Sequence, residues 1–418
     1  MLGVWVDAVG ESVGALVELQ VTNIAHGGVS VARHEGRVIF VSDAIPGERV
    51  LARISEDSKK SFWRAETVAV VTASVHRVEH VWSAAGLDRD PRDRAGGAEF
   101  GHIELAHQRT LKAEVLADAL GRFAKVSRET TIEPAPGDSE RGGLGWRTRL
   151  RLQVSESGQP GPFAARSHRV IPVSDVPLAT PELAAIAPLR ENFAGVDHVD
   201  MVAPSRGAAM LIGGGQAKTT ITEVVGSREF QLADAGFWQV HRAAPQILTA
   251  AVQGAIDGER FDPAAANLDL YGGVGLLAAA IGDRFGTETS VTTVESDPVA
   301  VSFAANNLGD FPETKAVLGR VDKWLRSVSR QSDSADRVRL ARATVILDPP
   351  RSGAGREVVQ LLSDLAPSQI VYVACDPVAF ARDVGYFAER GYRLAGLRAF
   401  DLFPHTHHLE AVGTLIRA

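Results

Sequence analysis

The chain of 418 residues contains one cysteine, Cys375. One cysteine cannot form a disulfide within the chain, and it cannot supply a zinc ribbon or a cysteine-ligated iron–sulfur cluster. The sequence therefore predicts no cysteine-ligated iron–sulfur cluster and no zinc ribbon. Cys375 itself should be either a buried structural thiol or a reactive one.

Long hydrophobic runs are missing as well. The longest ones, such as 275–281, are far shorter than the roughly 20 residues that a membrane-spanning helix needs. Near the N-terminus, Asp7 and Glu11 stand where a secretory signal would carry positive charge followed by an apolar stretch. The apolar fraction of 45% is nevertheless too high for a disordered chain. We expect a cytoplasmic monomer without membrane contact.

The chain also lacks an overall positive charge, since its formal net charge is −7. The charge is unevenly distributed, because six arginines and only one acid, Glu156, fall within 141–170. A local patch of this kind can bind a phosphate backbone even on an acidic protein. A solvated strand surface is the alternative. The candidate RNA-contacting residues in this stretch are Arg147, Arg149, Arg151 and Arg166.

Hydrophobic periodicity and turn signals divide the chain into three parts. Residues 1–74 contain about five short β-rich segments separated by glycine and proline turns, which favours a small closed barrel of the OB type. Residues 75–235 combine a helical pattern at 104–126 with strands, and we interpret them as an α+β domain. Residues 236–418 alternate strands and helices, a pattern typical of a Rossmann-like parallel sheet covered on both faces.

Several local elements are predicted within these parts. In the middle region we expect a strand at 170–173 and a helix over 180–193. The serine-containing stretch 328–342 predicts an exposed loop. The predicted strands that precede the motifs of the C-terminal part lie at 267–270, 290–295, 343–347 and 369–374.

A glycine-rich segment at 269–275, Asp-Leu-Tyr-Gly-Gly-Val-Gly, joins a predicted strand to a predicted helix. Glycines at such a turn let a ligand approach the backbone closely. The dinucleotide fingerprint G-x-G-x-x-G is absent, because the glycine that follows Gly275 is Gly282. Glu295 ends the next predicted strand about 20 residues later, where an acid suits a ribose diol. The glycine-rich segment together with Glu295 fits S-adenosylmethionine better than NAD. A tight turn that binds no ligand is the alternative.

Two further segments lie at the ends of predicted strands. Asp348 is followed by two prolines and Arg351. The prolines stiffen the backbone and can aim Asp348 into the crevice at the carboxyl ends of the strands. Cys375 follows a strand and precedes a helix, whose dipole is expected to favour the thiolate. A rigid turn and a buried cysteine are the alternatives, but the shared sheet edge favours one common site.

The segment 401–410 contains three histidines, His405, His407 and His408, and ends on Glu410. Histidines this close together could suggest a metal site. A zinc ligand set would need a further distant cluster, and the sequence shows none. Glu410, near the C-terminal strand, is a candidate base, and a surface glutamate is the alternative.

With these segments in place, the sequence resembles the RNA uracil-5 methyltransferase family over nearly its whole length. The N-terminal part looks like a TRAM domain through Ile-Ala-His-Gly-Gly at 24–28 and Ala-Ile-Pro-Gly-Glu at 44–48. The segment Phe-Trp-Gln-Val at 237–240 is similar to the family's Phe-Phe-Gln-Val motif, whose glutamine contacts S-adenosylmethionine.

This resemblance implies an activity and roles for individual residues. The implied reaction is methylation of uracil carbon 5 in RNA, with S-adenosylmethionine as cofactor and ribosomal RNA favoured over transfer RNA as substrate. Cys375 matches the family's nucleophile, and Glu410 matches the glutamate that takes the final proton. Asp348 would also hydrogen-bond the uracil edge. The residues that match the cofactor and target site are Gln239, Tyr271, Gly273, Glu295 and Asp348.

The chain departs from the family at one place. Many members hold a four-iron cluster on four cysteines, but the corresponding stretches here, 89–98 and 176–178, contain no cysteine. We therefore expect a member without a cluster.

Three other functions are weighed against this one. RNA cytosine-5 methyltransferases typically use two cysteines, and this chain has one. Methylation of an exocyclic amino group could use Asp348 and its prolines, but it would leave Cys375 without a role. A non-catalytic RNA-binding protein that kept the fold would leave Cys375, Glu410 and Asp348 unexplained.

Overall fold

The computed structural model describes residues 12–212 and 219–417. Asp7 and Glu11, which entered the argument on export, lie outside the described residues. The chain forms a closed five-stranded barrel, a central region with two small sheets, and a C-terminal eight-stranded sheet flanked by helices. The predicted fold class is confirmed. Within the described part, no helix is long and apolar enough to cross a membrane.

The barrel comprises five strands in the order β1-β2-β3-β5-β4, with β1 pairing to β4 to close the ring. Alternate residues such as Leu19 and Val21 are buried, as expected when one face of every strand points into a barrel. The parallel pairing of β3 with β5 gives the barrel its OB-like order. The strands are β1 (Leu16–Ala25), β2 (Val29–His34), β3 (Arg37–Ser42), β4 (Arg49–Glu56) and β5 (Phe62–Thr72).

The central region contains a four-stranded sheet in the order β10-β9-β7-β8 and a hairpin of β11 and β12. Both are antiparallel. The elements from here to the hairpin are α1 (Leu105–Ala119), β6 (Ile132–Pro134), β7 (Arg149–Val154), β8 (Pro160–Gly161), α2 (Pro181–Ala185), β9 (His198–Val202), β10 (Met210–Ile212), β11 (Thr220–Val225) and β12 (Arg228–Ala233).

The C-terminal sheet has the strand order β15-β14-β13-β16-β17-β19-β18-β6. Its strands are β13 (Asn267–Leu270), β14 (Val291–Glu295), β15 (Thr314–Leu318), β16 (Thr344–Leu347), β17 (Gln369–Ala374), β18 (Tyr392–Asp401) and β19 (Glu410–Arg417). Its helices are α3 (Ala244–Ala255), α4 (Leu276–Phe285), α5 (Pro298–Asn307), α6 (Val321–Gln331), α7 (Ser334–Ala341), α8 (Gly355–Leu365) and α9 (Pro377–Ala388). The chain leaves β13 towards β14 on one side and later returns to β16 on the other. A ligand crevice is expected at such a reversal, outside the carboxyl ends of the strands.

Part of the segment 75–235 joins the C-terminal sheet rather than the central region. β6 pairs in parallel with β18. Leu116, Leu120 and Ile132 are buried in the same hydrophobic core as the C-terminal strands. The apolar face of α1 therefore completes the C-terminal core, which a reading of local pattern along the chain does not reveal.

Three local predictions were wrong. The helix expected over 180–193 ends at Ala185, in keeping with the effect of Pro188, because proline disfavours helical geometry in the residue before it. The stretch 170–173 forms only an isolated bridge between Val170 and Phe163. The region 328–342 is exposed but mostly helical, since α6 and α7 are separated only by a short break at which Asp333 caps α7.

The stretch without the family's cysteines is held by apolar packing and a partly buried ion pair. Ala95, Ala98 and Val176 are buried in one hydrophobic cluster. Arg94, which is 2% exposed, binds Asp43 of the barrel at 2.8 Å. These residues do not fit a cysteine-held cluster. Across 12–212 and 219–417, no group of three or more histidine, cysteine, aspartate or glutamate side chains is placed to hold a metal ion.

Candidate active site

A cleft of about 890 Å³ opens where the C-terminal sheet reverses its strand order. Its wall comes from the loops that follow β13, β14, β15, β16 and β17 with the first turns of the helices after them, and from the segment 232–240. Loops at the carboxyl edge are expected to line the cleft of such a sheet. The structure brings all the predicted cofactor and catalytic residues to this one cleft. They are Gln239, Tyr271, Gly273, Glu295, Asp348, Cys375 and Glu410.

The glycine-rich segment forms a tight turn between β13 and α4. Tyr271 and Gly273 both have positive φ angles, of 65° and 54°. A Cβ atom on Gly272 would lie 1.9 Å from Thr293 Oγ1, so a side chain cannot be accommodated there. The amide of Gly273 donates to Glu295 Oε2 at 3.2 Å. The turn thus places bare backbone and an oriented carboxylate side by side at the cleft.

Two carboxyl groups have pKa values raised to near neutral pH: Asp348, which lines the cleft, and the buried Asp269, which lies beneath the glycine-rich turn. Asp269 accepts hydrogen bonds from Thr293 Oγ1 and the amide of Ala278, and burial raises its pKa to about 7. Burial, followed by the charge of Asp269, also raises the pKa of Asp348 to about 7. Either group can therefore be present in both protonation states near neutral pH. The sequence indicates no role for Asp269 beyond its place in the motif.

Cys375 and Glu410 face each other across two neighbouring strands. Cys375 directly follows β17, and Glu410 begins the antiparallel strand β19. The register pairs Ala374 with Ala411, so the next residues along, Cys375 and Glu410, lie at the same level. Opposite residues in such a pair have Cα atoms roughly 4.5–5.5 Å apart. Sheet pairing thus places a thiol and a carboxyl group together.

The electrostatic surroundings of Cys375 differ from the expectation that the helix dipole would favour its thiolate. Burial, followed by the charge of Glu410, raises the pKa of the Cys375 thiol to about 12, and Arg351 opposes this rise. Burial and the charge of Asp348 raise the pKa of Glu410 well above its ordinary value, and Arg351 again opposes the rise. The dipole of α9 is therefore outweighed. The thiol is protonated in the free protein at neutral pH.

Alkylation of Cys375 by iodoacetamide should therefore be slow at neutral pH. The raised pKa leaves little thiolate at neutral pH. As long as the pH is below the pKa, each increase of one pH unit raises the thiolate fraction tenfold. We expect the rate to keep rising from pH 7 to pH 10, where an ordinary thiol with a pKa of about 8.5 levels off. Mass spectrometry of the intact chain measures one unambiguous site, because the chain has a single cysteine.

Two substitutions should shift this alkylation rate in opposite directions. Glu410→Gln removes a charge that raises the pKa of Cys375, so at pH values at which Glu410 is ionised the rate should increase about three- to tenfold. Arg351→Gln removes a charge that lowers it, so the rate should fall by a similar factor. The reverse order of the two variants would contradict this description of the cleft.

The barrel reaches the edge of this site through the segment 24–28. The His26 ring lies 2.8 Å from Asp376, which caps α9 and directly follows Cys375. This hydrogen bond to Asp376 raises the pKa of His26. Gly28 is so close to His407 that a Cβ atom on it would lie 2.8 Å from the His407 Cβ. The segment 24–28 therefore contacts the segment that carries the Cys375 thiol and the segment 401–410, which ends on Glu410.

The other barrel segment, 44–48, fixes the barrel to the central region. Glu48 is fully buried and accepts hydrogen bonds from Arg77 at 2.6 Å. It also accepts a hydrogen bond from the amide of Ile45. Its role in the fold is thus an anchor at the base of the barrel.

Helix α1 holds the histidine-containing segment that leads to Glu410. Lys112 donates to Asp401 at 2.6 Å and to the carbonyl of Phe403 at 3.0 Å. The side-chain oxygen of Gln108 accepts a hydrogen bond from the amide of His405 at 2.8 Å. The ring of His405 lies 2.7 Å from the carbonyl of Gly142. His405 thus has a structural role, and buried contacts fix the approach to Glu410.

The four predicted RNA-contacting arginines have different surroundings. Arg149 points inward and donates to the carbonyls of Asp234 and Gly236, so we remove it from the candidate RNA contacts. Arg151 is exposed and binds Asp200 through two hydrogen bonds of 2.7 and 2.8 Å.

The other two arginines lie closer to the barrel and the cleft. Arg166 is exposed and lines a second cavity, of about 400 Å³, beside the barrel. Arg147 packs over the ring of Trp146 at 4.9 Å, and burial lowers its pKa to about 10. Arg147, Arg151 and Arg166 remain candidates for RNA contact.

Sequence reasoning missed two features of the cleft. Asp322 lines it at the start of α6, after β15. Because β15 was not predicted, the rule that sites lie at strand ends was not applied to Asp322. Phe237, which lines the same cleft, is 76% exposed. The sequence shows a large aromatic residue two positions before Gln239, but nothing in the sequence indicates that its side chain is exposed.

Residues 246–418 match the family model described as tRNA (Uracil-5-)-methyltransferase. An uncharacterized RNA methyltransferase of Streptomyces avermitilis is 36% identical, with 96% of this chain and 98% of that protein covered. A second, from Streptomyces coelicolor, is 37% identical, with 96% and 93% covered.

Among solved structures, the Pyrococcus abyssi tRNA (uracil-54, C5)-methyltransferase in complex with S-adenosyl-L-homocysteine has the same fold. The TM-score is 0.68 at 19% sequence identity, over 96% of this chain and 100% of that chain. This likeness shows the fold. The sequence relatives above show the family: the chain belongs to the RNA methyltransferases.

Proposed function

We propose that the protein transfers a methyl group from S-adenosylmethionine to carbon 5 of a uridine in RNA, with ribosomal RNA favoured over transfer RNA. The observation that carries this proposal is the strand register that sets Cys375 opposite Glu410 in the cleft. A thiol and a carboxyl group at one level supply a nucleophile and a base for the same pyrimidine ring. The preference for ribosomal RNA rests on the TRAM-like barrel.

The proposed chemistry begins with the thiolate of Cys375, because carbon 5 of uracil is a weak nucleophile. The thiolate adds to carbon 6, and the electrons of the carbon 5–carbon 6 double bond move to give an enolate. Carbon 5 would then take the methyl group of S-adenosylmethionine, which Gln239, Tyr271 and Glu295 would hold and which would leave as S-adenosylhomocysteine. Glu410 removes the carbon 5 proton, and the electrons of that bond restore the double bond and expel the Cys375 thiolate.

The raised pKa of Glu410 fits its proposed role as the base. A carboxylate with a raised pKa is a stronger base, which suits Glu410 for the final proton transfer. S-adenosylmethionine supplies the methyl group and a positive charge when it is bound. Because the pKa of Cys375 is about 12 in the free protein even with Arg351 nearby, further positive charge, which bound S-adenosylmethionine would bring, is needed to form the thiolate.

The residues present fit the proposed cofactor. Glu295 Oε1 accepts hydrogen bonds from Ser296 and the amide of Asp297, whereas Oε2 accepts one from Gly273 and keeps a lone pair for a ribose hydroxyl. A Cβ atom built on Gly273 would meet nothing within 4 Å, so the bare backbone there leaves room for a ligand to approach the turn closely. Gln239 and Tyr271 would contact the remainder of the cofactor. Asp348 would serve the cofactor site and, through a hydrogen bond, the uracil edge.

The target base must leave its stack to reach this cleft. Flipping costs on the order of a few kcal/mol and costs least in loops, so we propose a loop or unfolded RNA segment as substrate. The barrel (1–74) and the central region (75–235) would bind the RNA backbone, and 236–418 would carry the chemistry. Arg147, Arg151 and Arg166 are the proposed backbone contacts. We place the enzyme in the cytoplasm as a monomer.

Mapping of 5-methyluridine in ribosomal and transfer RNA tests this function. RNA from cells with the gene should contain at least one modified uridine that is missing when the gene is deleted. The purified protein should restore this modification with labelled S-adenosylmethionine. Loss of a 5-methylcytidine instead, or no methyl transfer to any RNA, would overturn the proposal in favour of a cytosine enzyme or a non-catalytic binder.

A further inference from the structure

A buried carboxylate lies two turns into the helix that follows Cys375. Asp383 of α9 is fully buried. Its Oδ2 accepts a hydrogen bond from the Tyr372 hydroxyl at 2.7 Å and from the amides of Ala354 and Gly355 at 2.7 and 3.1 Å. A buried carboxylate with this many donors is held in one orientation.

The other oxygen of Asp383 is also occupied. Its Oδ1 accepts two hydrogen bonds from the Arg382 guanidinium, at 2.8 and 3.0 Å. Arg382 donates in addition to the carbonyl of Ser352 at 2.8 Å. Burial, followed by the charge of Asp383, raises the pKa of Tyr372 well above its ordinary value, so its hydroxyl remains a donor.

These contacts join the two loops that carry the proposed catalytic groups. One loop runs from Asp348 after β16 to Gly355 at the start of α8. The other carries Cys375 and continues directly into α9. The pair Arg382–Asp383 therefore binds the first loop to the helix that begins beside the thiol.

Gly353 shows how closely the two loops are fitted. Its φ angle is 77°, and a Cβ atom at this position would lie 2.5 Å from Asp383 Oδ2. Glycine is required for both reasons. Asp383 does not itself line the cleft that the described residues form, whereas Ser352 and Gly353 do. Any influence of Asp383 on the reaction must pass through the loop.

We propose that Asp383 is a positioning residue that fixes the loop from Asp348 to Arg351 relative to Cys375. This inference rests on the proposed function, in which Asp348 and Cys375 act on the same base. The carboxylate acts as a fixed acceptor for the loop amides, and α9 sets the distance between the two loops.

Two substitutions of Asp383 test this role. Asp383→Asn keeps the shape and one acceptor oxygen but loses the charge that binds Arg382, and Asp383→Ala loses every contact. We expect the single-turnover rate of methyl transfer to fall about tenfold for Asp383→Asn and about 100-fold for Asp383→Ala. The dissociation constant for S-adenosylmethionine should change less than about threefold, because the turn at Gly273 and Glu295 is untouched.

A covalent trap separates positioning from loss of folded protein. RNA that contains 5-fluorouridine should form a stable adduct with Cys375, because fluorine at carbon 5 cannot leave as a proton. A positioning role slows adduct formation but leaves its final amount unchanged. A reduced amount formed at the wild-type rate would mean that Asp383 only stabilises the fold, and would overturn the proposal.

Hydrogen exchange of the loop amides tests the positioning role of Asp383 without depending on methyl transfer. Amides 352–355 should exchange faster in Asp383→Ala than in the control Asp364→Asn, which alters an exposed α8 residue bound to Arg390 at 3.6 Å. Unchanged exchange would overturn the positioning role whatever the activity. Absence of the adduct in the wild-type protein would instead count against the proposed function.

Discussion

Cys375→Ala is expected to abolish methyl transfer to RNA. Without the thiolate, carbon 5 of uracil is not activated, and loss of a covalent nucleophile typically lowers the rate at least about 1,000-fold. Transfer of tritiated methyl groups from S-adenosylmethionine to total RNA, followed by isolation of the labelled nucleoside, measures this loss. A variant that methylates RNA at a tenth of the wild-type rate or faster would refute the nucleophile assignment.

Cofactor binding supplies the control for this experiment. Cys375 lines the cleft but makes no contact with the turn of Gly273 and Glu295 among the contacts that the structure describes. Its thiol is also only half-buried. We therefore expect Cys375→Ala to bind S-adenosylmethionine within about threefold of the wild-type affinity and to unfold at nearly the same temperature. An unfolded variant could not meet both conditions.

The positions of the main motifs could be predicted because each follows a strand with a clear hydrophobic pattern. β13 and β17 begin and end at the predicted residues, and β14 and β16 each begin one residue later than predicted. Parallel strands share one carboxyl edge, so Glu295, Asp348 and Cys375 had to lie near each other. The position of Glu410 opposite Cys375 could not be predicted in this way, because it depends on the insertion of β19 between β17 and β18.

Features that depend on distant parts of the chain could not be predicted. The place of α1 in the C-terminal core depends on tertiary packing, and so does the ion pair between Lys112 and Asp401. The same holds for Arg149, which looked like a surface cation but binds two carbonyls of the segment before Phe237. Local sequence shows the residue type, but not which side of the strand is covered.

The pKa of Cys375 illustrates a different limit. The sequence showed the helix that follows the thiol, and hence a dipole that favours the thiolate. It did not show the degree of burial or the carboxyl group of Glu410 across the sheet, and these two effects raise the pKa to about 12. Desolvation and a like charge thus dominate the pKa of this thiol, and the helix dipole alone does not decide it.

Glu410→Gln should convert the enzyme into one that remains bound to its RNA. Glutamine has nearly the same shape but cannot accept the carbon 5 proton, so the methylated base stays joined to Cys375. Loss of general-base catalysis typically lowers turnover by about 100- to 10,000-fold. Formation of the adduct should not suffer, because removal of the Glu410 charge lowers the pKa of Cys375. The product is a slowly migrating protein–RNA band on a denaturing gel.

The double variant Cys375→Ala with Glu410→Gln is the matched control and should give no band.

Mass spectrometry of the trapped complex then locates the step that Glu410 performs. A methyl group in the adduct means that the block follows methyl transfer, as proton removal by Glu410 requires. An adduct without the methyl group would place Glu410 before transfer, as a partner of the uracil ring or of the thiol. Turnover at the wild-type rate without an adduct would exclude Glu410 as the base, and the proton would have to leave to another group of the cleft, of which Asp348, with its pKa of about 7, is the nearest in chemistry.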